Sequence, residues 1–363
     1  MSAKREAGLE LLRILSMLAV VVAHFLGWGT THHAVGPIMV SFTNGGINSW
    51  IFPFAASFGP MGVICFVMIT SYFICESSVL RVDRILKVWS QTLFYSVLLA
   101  FVSSVFIPVS TKSLLLSFAP VGTDQYWFVT KYVALIMLAP IMASVVRTLS
   151  HKGMVIALFV LAFLTVTITC GVPYGNRFYG DSPLSVASFV FIFFIAAYIR
   201  KYGVHPWIEK NSGTIFLAGI LLQGIGGLAL NFIHSDSSQV IYGGFSTGYN
   251  AFSLVPAIAL FLCFKNMKVK DSAIIRFLVR LAPYTFAVYL IHDNQYFRQI
   301  LWNRIFDPAE YWNSPVWLAL LVVVPIAIVL ICCAFDVLRS TLFKFVGVDK
   351  LIEKARKFNV TIE

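Results

Sequence analysis

Arg13 and His24 stand eleven residues apart in GLELLRILSMLAVVVAHFLGWG, and every residue strictly between them is apolar except Ser16. The stretch reads as a membrane-spanning helix, and hydrocarbon does not hold ionisable side chains without a reason. At about 100° per residue, eleven steps come to about 20° past three full turns, so both groups lie on one stripe. At about 1.5 Å per residue they are about 16 Å apart along the axis. Arg13 carries a permanent planar fork of donors suited to phosphate. The neutral imidazole of His24 can take a proton from a hydroxyl as that oxygen attacks an acyl carbonyl. Each has a plainer reading beside this one: Arg13 as a partner of Glu10 at i−3 or an interfacial snorkeller, His24 as a buried histidine bonded to a neighbouring helix.

A second group of such residues lies in LAPYTFAVYLIHDNQYF. Tyr289 and His292 are three apart and share a helix face, Thr285 precedes Tyr289 by one turn, and Asp293 follows directly. His292 is expected at a depth matching His24, either to complete one polar pocket or to make a structural hydrogen bond. Ser71 and Tyr72, in GVICFVMITSYFICESS, sit beside Thr70, and the small polar pair Thr70–Ser71 permits close helix approach. Arg81, Arg84 and Lys87 follow, as topology charges or as the rim of a phosphate site. Trp127 marks a membrane interface, and Lys131 one turn on is expected to snorkel. Two dispersed histidines without a third ligand argue against a metal. No Walker loop, GxSxG elbow or GxGxxG finger is present, which removes the footholds for nucleotide hydrolysis and serine-hydrolase chemistry.

The elements that must position these groups are membrane helices. The 363 residues are 59% hydrophobic and 12% charged, with a mean hydropathy of +0.84, and soluble globular domains do not look like this. The apolar runs predict an all-α polytopic bundle of about ten spans, approximately 8–27, 57–75, 85–107, 125–146, 153–171, 184–199, 213–232, 249–264, 282–300 and 315–338. With a cytoplasmic N-terminus, Lys and Arg concentrate on the inner side. The opposite side has Lys112, Arg177, Arg298 and Arg304, while Arg13 and Lys131 lie within spans. This asymmetry puts both termini in the cytoplasm, with upstream Lys4 and Arg5 as topology charges. The net charge of +11 is therefore a topology signal and an attraction to anionic lipid, not a nucleic-acid surface.

No cleavable signal is expected, because the first apolar segment is too long for one. The six cysteines, Cys65, Cys75, Cys170, Cys263, Cys332 and Cys333, read as small packing residues. Residues 1–340 read as one transmembrane domain and 341–363 as a short basic cytoplasmic tail. Segment 233–248 reads as a polar loop. Residues 265–281 contain an amphipathic surface helix with Ile274, Phe277 and Leu278 toward the membrane and Arg276 and Arg280 away from it. Trp28, Trp50 and Phe52 suit an interfacial belt.

Together these landmarks resemble the membrane acyltransferase-3 family of bacterial integral-membrane O-acyltransferases. The resemblance rests on Arg13-x10-His24, on GVICFVMITSYFI (62–74), on Tyr126-Trp127-Phe128 and on TFAVYLIH (285–292), and runs nearly end to end. It implies acyl transfer, commonly acetyl from acetyl-CoA used as a substrate with no bound cofactor, onto a hydroxyl of a cell-surface or lipid-linked glycan. It also implies a multi-pass protein of the bacterial cell membrane, in contact with lipid, and is compatible with a homo-oligomer. His24 takes the catalytic role and Arg13 the donor-binding role by this resemblance; Ser71 departs from the family's usual Gly. With no fused esterase-like domain, the chain is expected to complete the transfer itself or with a separate partner. The competing class is a transporter or flippase, whose signature is carboxylates buried at mid-membrane for ion coupling.

Overall fold

The structure, a computed structural model, describes residues 6–31, 40, 42–123, 125–167, 185–233 and 251–362. Lys4, Arg5, Cys170, Arg177, most of loop 233–248 and the last residues of the span expected at 153–171 lie outside the described residues. The chain is about 81% helical. Among the described residues, seven segments are long and apolar enough to cross a membrane: Ala7–Thr31, Ile47–Ile74, Val82–Ser104, Trp127–Thr148, Ser212–Ile233, Ala273–His292 and Val316–Val346. Shorter helices occupy the remaining expected positions, at His151–Val166, Val186–Tyr202 and Ala251–Lys265. Helices satisfy their backbone hydrogen bonds internally, as a segment in hydrocarbon must. Large apolar side chains, among them Phe159, Leu217, Ile233, Val322 and Phe345, point away from the bundle, as lipid-facing residues do. The chain is a multi-pass membrane protein.

Helix α1 (Ala7–His24) lies inside the bundle and continues as a π-helical segment, Phe25–Thr31. After α2 (Ile47–Ala56), α3 (Phe58–Ile74) runs antiparallel to α1 and packs closely on it. The closeness depends on glycine. A Cβ on Gly62 would sit 2.5 Å from the Ser16 carbonyl oxygen, and one on Gly59 would sit 2.5 Å from the Ala23 methyl. Small residues at a membrane-helix interface serve this purpose. Thr70, expected to ease that approach, instead pairs with the Tyr132 hydroxyl at 3.1 Å.

Helix α4 (Val82–Ser104) is held to the last long helix by a buried cluster. We number the intervening helices α5 (Thr111–Leu116), α6 (Trp127–Thr148), α7 (His151–Ala162), α8 (Val186–Tyr202), α9 (Pro206–Lys210), α10 (Ser212–Ile233), α11 (Ala251–Lys265), α12 (Ala273–Leu281), α13 (Thr285–His292) and α14 (Phe297–Ile300). The last long helix is then α15 (Val316–Val346). Arg339 donates two bonds, of 2.8 and 2.9 Å, to the Asp336 carboxylate, and Gln91 and Tyr95 of α4 each donate to the same carboxylate at 3.0 Å. Charge in a low-dielectric interior survives only when paired and hydrogen-bonded, and here both conditions are met.

The expected continuous span at 282–300 is corrected by the structure. A 3-10 turn, Ala282–Tyr284, leads into α13, which stops at His292, and the short α14 follows after a turn. The preceding α12 is the amphipathic helix foreseen in 265–281, with Ile274 and Phe277 exposed rather than packed against protein. The tail is helical and then extended. Helix α16 (Val348–Lys354) leads to a strand, Val360–Thr361, that pairs antiparallel with Val79–Leu80. There Asp83 receives two bonds from Arg81, of 2.9 and 2.8 Å, and lies 3.6 Å from Arg356.

Asp336→Ala leaves the Arg339 guanidinium buried without its counter-ion, a loss of about 3–5 kcal/mol. The thermal midpoint of the detergent-purified protein is expected to fall markedly. Replacing Asp336 and Arg339 together by apolar residues is expected to recover much of that fall; equal midpoints for wild type and Asp336→Ala remove the cluster's structural role.

Candidate active site

His24 and His292 are 268 residues apart in sequence, yet their side chains meet: His24 Nδ1 lies 2.7 Å from His292 Nε2, with ring centroids 4.9 Å apart. His292 is fully buried, and its Nδ1 bonds to the Val288 carbonyl oxygen one turn back in α13. A carbonyl only accepts, so His292 Nδ1 carries the proton and its Nε2 offers a lone pair. His24 Nδ1–H must then be the donor of the 2.7 Å bond. The consequence is specific. Neutral His24 is held as the Nδ1–H tautomer, and its Nε2 lone pair is left to act as a base.

Asp293 completes the group. Its Oδ1 lies 3.7 Å from His24 Nδ1 and 3.5 Å from Arg298 Nη1, and this buried oxygen accepts no hydrogen bond from the protein. This oxygen is thus near two cationic or potentially cationic groups without a hydrogen bond from either. Arg298 lies over the Trp28 ring, 3.9 Å from its centre, and Trp28 is one turn beyond His24.

The helix break that permits this arrangement has its own lock. Asn294 Oδ1 accepts from the Tyr296 and Phe297 backbone N–H groups at 3.1 Å each, starting α14 as an N-cap does. Asn294 Nδ2 donates to the Tyr126 hydroxyl at 2.7 Å, and that hydroxyl donates to the Leu290 carbonyl at 3.0 Å. Tyr126, at the head of α6, thereby stitches both sides of the break together. Tyr289 packs between the Tyr126 and Phe128 rings, 5.9 and 5.6 Å away, with its ring centre 6.5 Å from that of His292.

The sequence-derived candidates separate into two ends. His24, Tyr289 and His292 converge. Ser71 and Tyr72 do not join them, because α3 is antiparallel to α1 and carries them toward the Arg13 end. There Tyr72 lies under Arg200, 4.7 Å from its ring centre, and the Ser71 hydroxyl is buried. Arg13 donates to Glu10 at 2.9 Å, the i−3 pairing its spacing allows, with its side chain still partly exposed. Arg81 donates to Asp83 through Nε and Nη2, while Arg84 is half-buried beside it. Trp127 meets Phe128 edge to face and lies 4.8 Å beneath the Lys131 ammonium. Its neighbour Tyr126 is the residue that reaches the site. Sequence reasoning missed Tyr126, Asn294, Trp28 and Arg298 as site residues; the polar run His292-Asp293-Asn294 inside an apolar stretch was the available signal. Among the described residues no group of three or more His, Cys, Asp or Glu is placed to hold a metal ion.

Compared with known families, the chain matches the acyltransferase-3 family, described as an acyltransferase domain, over residues 6–335. Neither the curated proteins nor the solved structures give a match.

Asn294→Ala strips partners from two backbone N–H groups and the Tyr126 hydroxyl, a cost of about 1–3 kcal/mol for such buried groups. A lowered thermal midpoint with a larger loss of turnover is expected. Unaltered turnover in a destabilised variant uncouples the break from the site.

Proposed function

The chain belongs to the acyltransferase-3 family, and on that premise we propose that it transfers an acetyl group from cytoplasmic acetyl-CoA to a hydroxyl of a cell-surface polysaccharide or lipid-linked glycan unit in the bacterial cell membrane. The observation that carries this reading is the imidazole pair, which holds one nitrogen of His24 ready as a base. In the reaction, His24 Nε2 takes the proton of the acceptor hydroxyl as its oxygen forms a bond to the thioester carbonyl carbon. The tetrahedral intermediate collapses, the carbon–sulfur bond breaks, and the proton passes from His24 to the departing thiolate. Asp293, 3.7 Å from His24 Nδ1, stabilises the transient imidazolium, and His292 fixes its orientation.

The donor's phosphates are assigned to Arg13 and to Arg81 and Arg84, about 16 Å or more from the reacting carbon. That separation suits a long flexible thioester arm. Arg13 binds phosphate by exchanging part of its contact with Glu10, and Arg81 by sharing its fork with Asp83. The glycan hydroxyl arrives from the His24 end. The four buried carboxylates among the described residues, Glu10, Asp83, Asp293 and Asp336, each lie within ion-pair distance of an arginine. Glu10, Asp83 and Asp336 accept hydrogen bonds from those arginines and so are not free to load and unload an ion as a carrier needs, while Asp293 sits beside the base of the proposed reaction.

His24→Ala is expected to lower acetyl transfer by about 10²–10⁴-fold, the usual contribution of a general base, with folded protein still in the membrane. Acetylation of surface glycans at the wild-type level in that variant, read by mass spectrometry, ends this mechanism. Arg13→Ala is expected to raise the KM for acetyl-CoA more than it lowers kcat; an unchanged KM sends the donor's phosphates elsewhere.

A further inference from the structure

We propose that Arg298, seated on Trp28 beside His24, recognises an anionic group, a carboxylate or a phosphate, on the acceptor saccharide. This rests on the acyltransferase reading and names the acceptor's chemistry. Three observations support it. First, Arg298 is underused: its nearest carboxylate oxygen is 3.5 Å from Nη1, its side chain is 28% exposed, and a guanidinium has five donors in one plane. Trp28 lies against that plane, 3.9 Å from the guanidinium carbon to the ring centre, and a fork of this kind can take a bidentate anion along its donor edge. Second, among the described residues the other cations expected on this side form no hydrogen bond or ion pair with His24 or Asp293: Arg304 donates to the Phe106 carbonyl, and Lys112 stands exposed on α5.

Third, the charge count around Asp293 calls for it. One carboxylate oxygen serves both His24 and Arg298, at 3.7 and 3.5 Å, and is hydrogen-bonded to neither. When His24 takes up a proton, two cations face a single carboxylate. An acceptor anion bound by Arg298 draws the guanidinium toward itself and leaves Asp293 to the imidazolium. The correct acceptor thereby completes the base's electrostatics as well as its own binding.

The test uses the full-length protein in detergent with acetyl-CoA and three probes: methyl glucoside, methyl glucuronoside and glucose 1-phosphate. Binding is read without donor, as thermal stabilisation by each saccharide, and transfer is read by mass spectrometry. Wild type is expected to favour one or both charged saccharides over the neutral one by about 10-fold, which is about 1.4 kcal/mol. The two charged arms separate carboxylate from phosphate. Arg298→Gln is expected to erase the preference, and Arg298→Lys, which keeps the charge without the fork, to retain part of it. A wild type that treats all three alike, in binding or in transfer, overturns the inference, as does a preference that survives in Arg298→Gln. If Arg298→Gln does not fold, loss of the wild-type preference in 0.5 M salt stands in for it, and a salt-insensitive preference overturns the inference. Charge-selective binding with no acetyl transfer to any probe instead counts against the proposed function and in favour of this site.

Discussion

Inside a membrane a polar group has no water to fall back on, and this structure is organised around that constraint. Each buried carboxylate among the described residues is matched by an arginine, and the ties that join distant parts of the chain are mostly polar. Asp336 and Arg339 with Gln91 and Tyr95 tie α15 to α4, Asp83 with Arg81 and Arg356 ties the tail to the start of α4, and the two histidines tie α1 to α13. In hydrocarbon, apolar side chains give little preference for one helix neighbour over another, because lipid tails are equally apolar. Polar pairs and close glycine contacts supply the register instead.

The exception to this saturation is informative. Asp293 Oδ1 is buried, sits between two nitrogens, and accepts no hydrogen bond from either. In the proposed mechanism, an oxygen kept near cations without a hydrogen bond suits a charge that appears and disappears on a neighbouring base. The adjacent backbone is irregular as well. The π-helical continuation of α1 and the break after His292 face each other, and irregular backbone at this depth is tolerated where protein buries it. Asn294 and Tyr126 supply the partners that the broken helix lacks.

The two ends of α1 carry different groups. Arg13 lies at one end, toward which the antiparallel α3 carries Tyr72, and His24, His292, Asp293 and Arg298 gather at the other. Gly59 and Gly62 let α3 lie against α1 along the length between them, so the separation of the two ends is set by a rigid, close-packed pair of helices.

Much of this was determined by the sequence alone. Apolar runs long enough to cross hydrocarbon, the stripe shared by Arg13 and His24, the i−3 option of Glu10 and the common face of Tyr289 and His292 follow from composition and the helical period. So did the family, because its motifs are contiguous. Local periodicity carries such information since neighbours along a helix are fixed by 3.6 residues per turn. The tertiary structure alone decided which imidazole nitrogen bears the proton, because that depends on a carbonyl four residues from His292 and on a histidine 268 residues away. It also decided that Tyr126 rather than Trp127 reaches the site, that the ninth segment breaks at Asp293, and that Arg298 joins the site. Each of these is a contact between segments far apart in the chain, and no helical period encodes which distant helix will supply a buried group's missing partner.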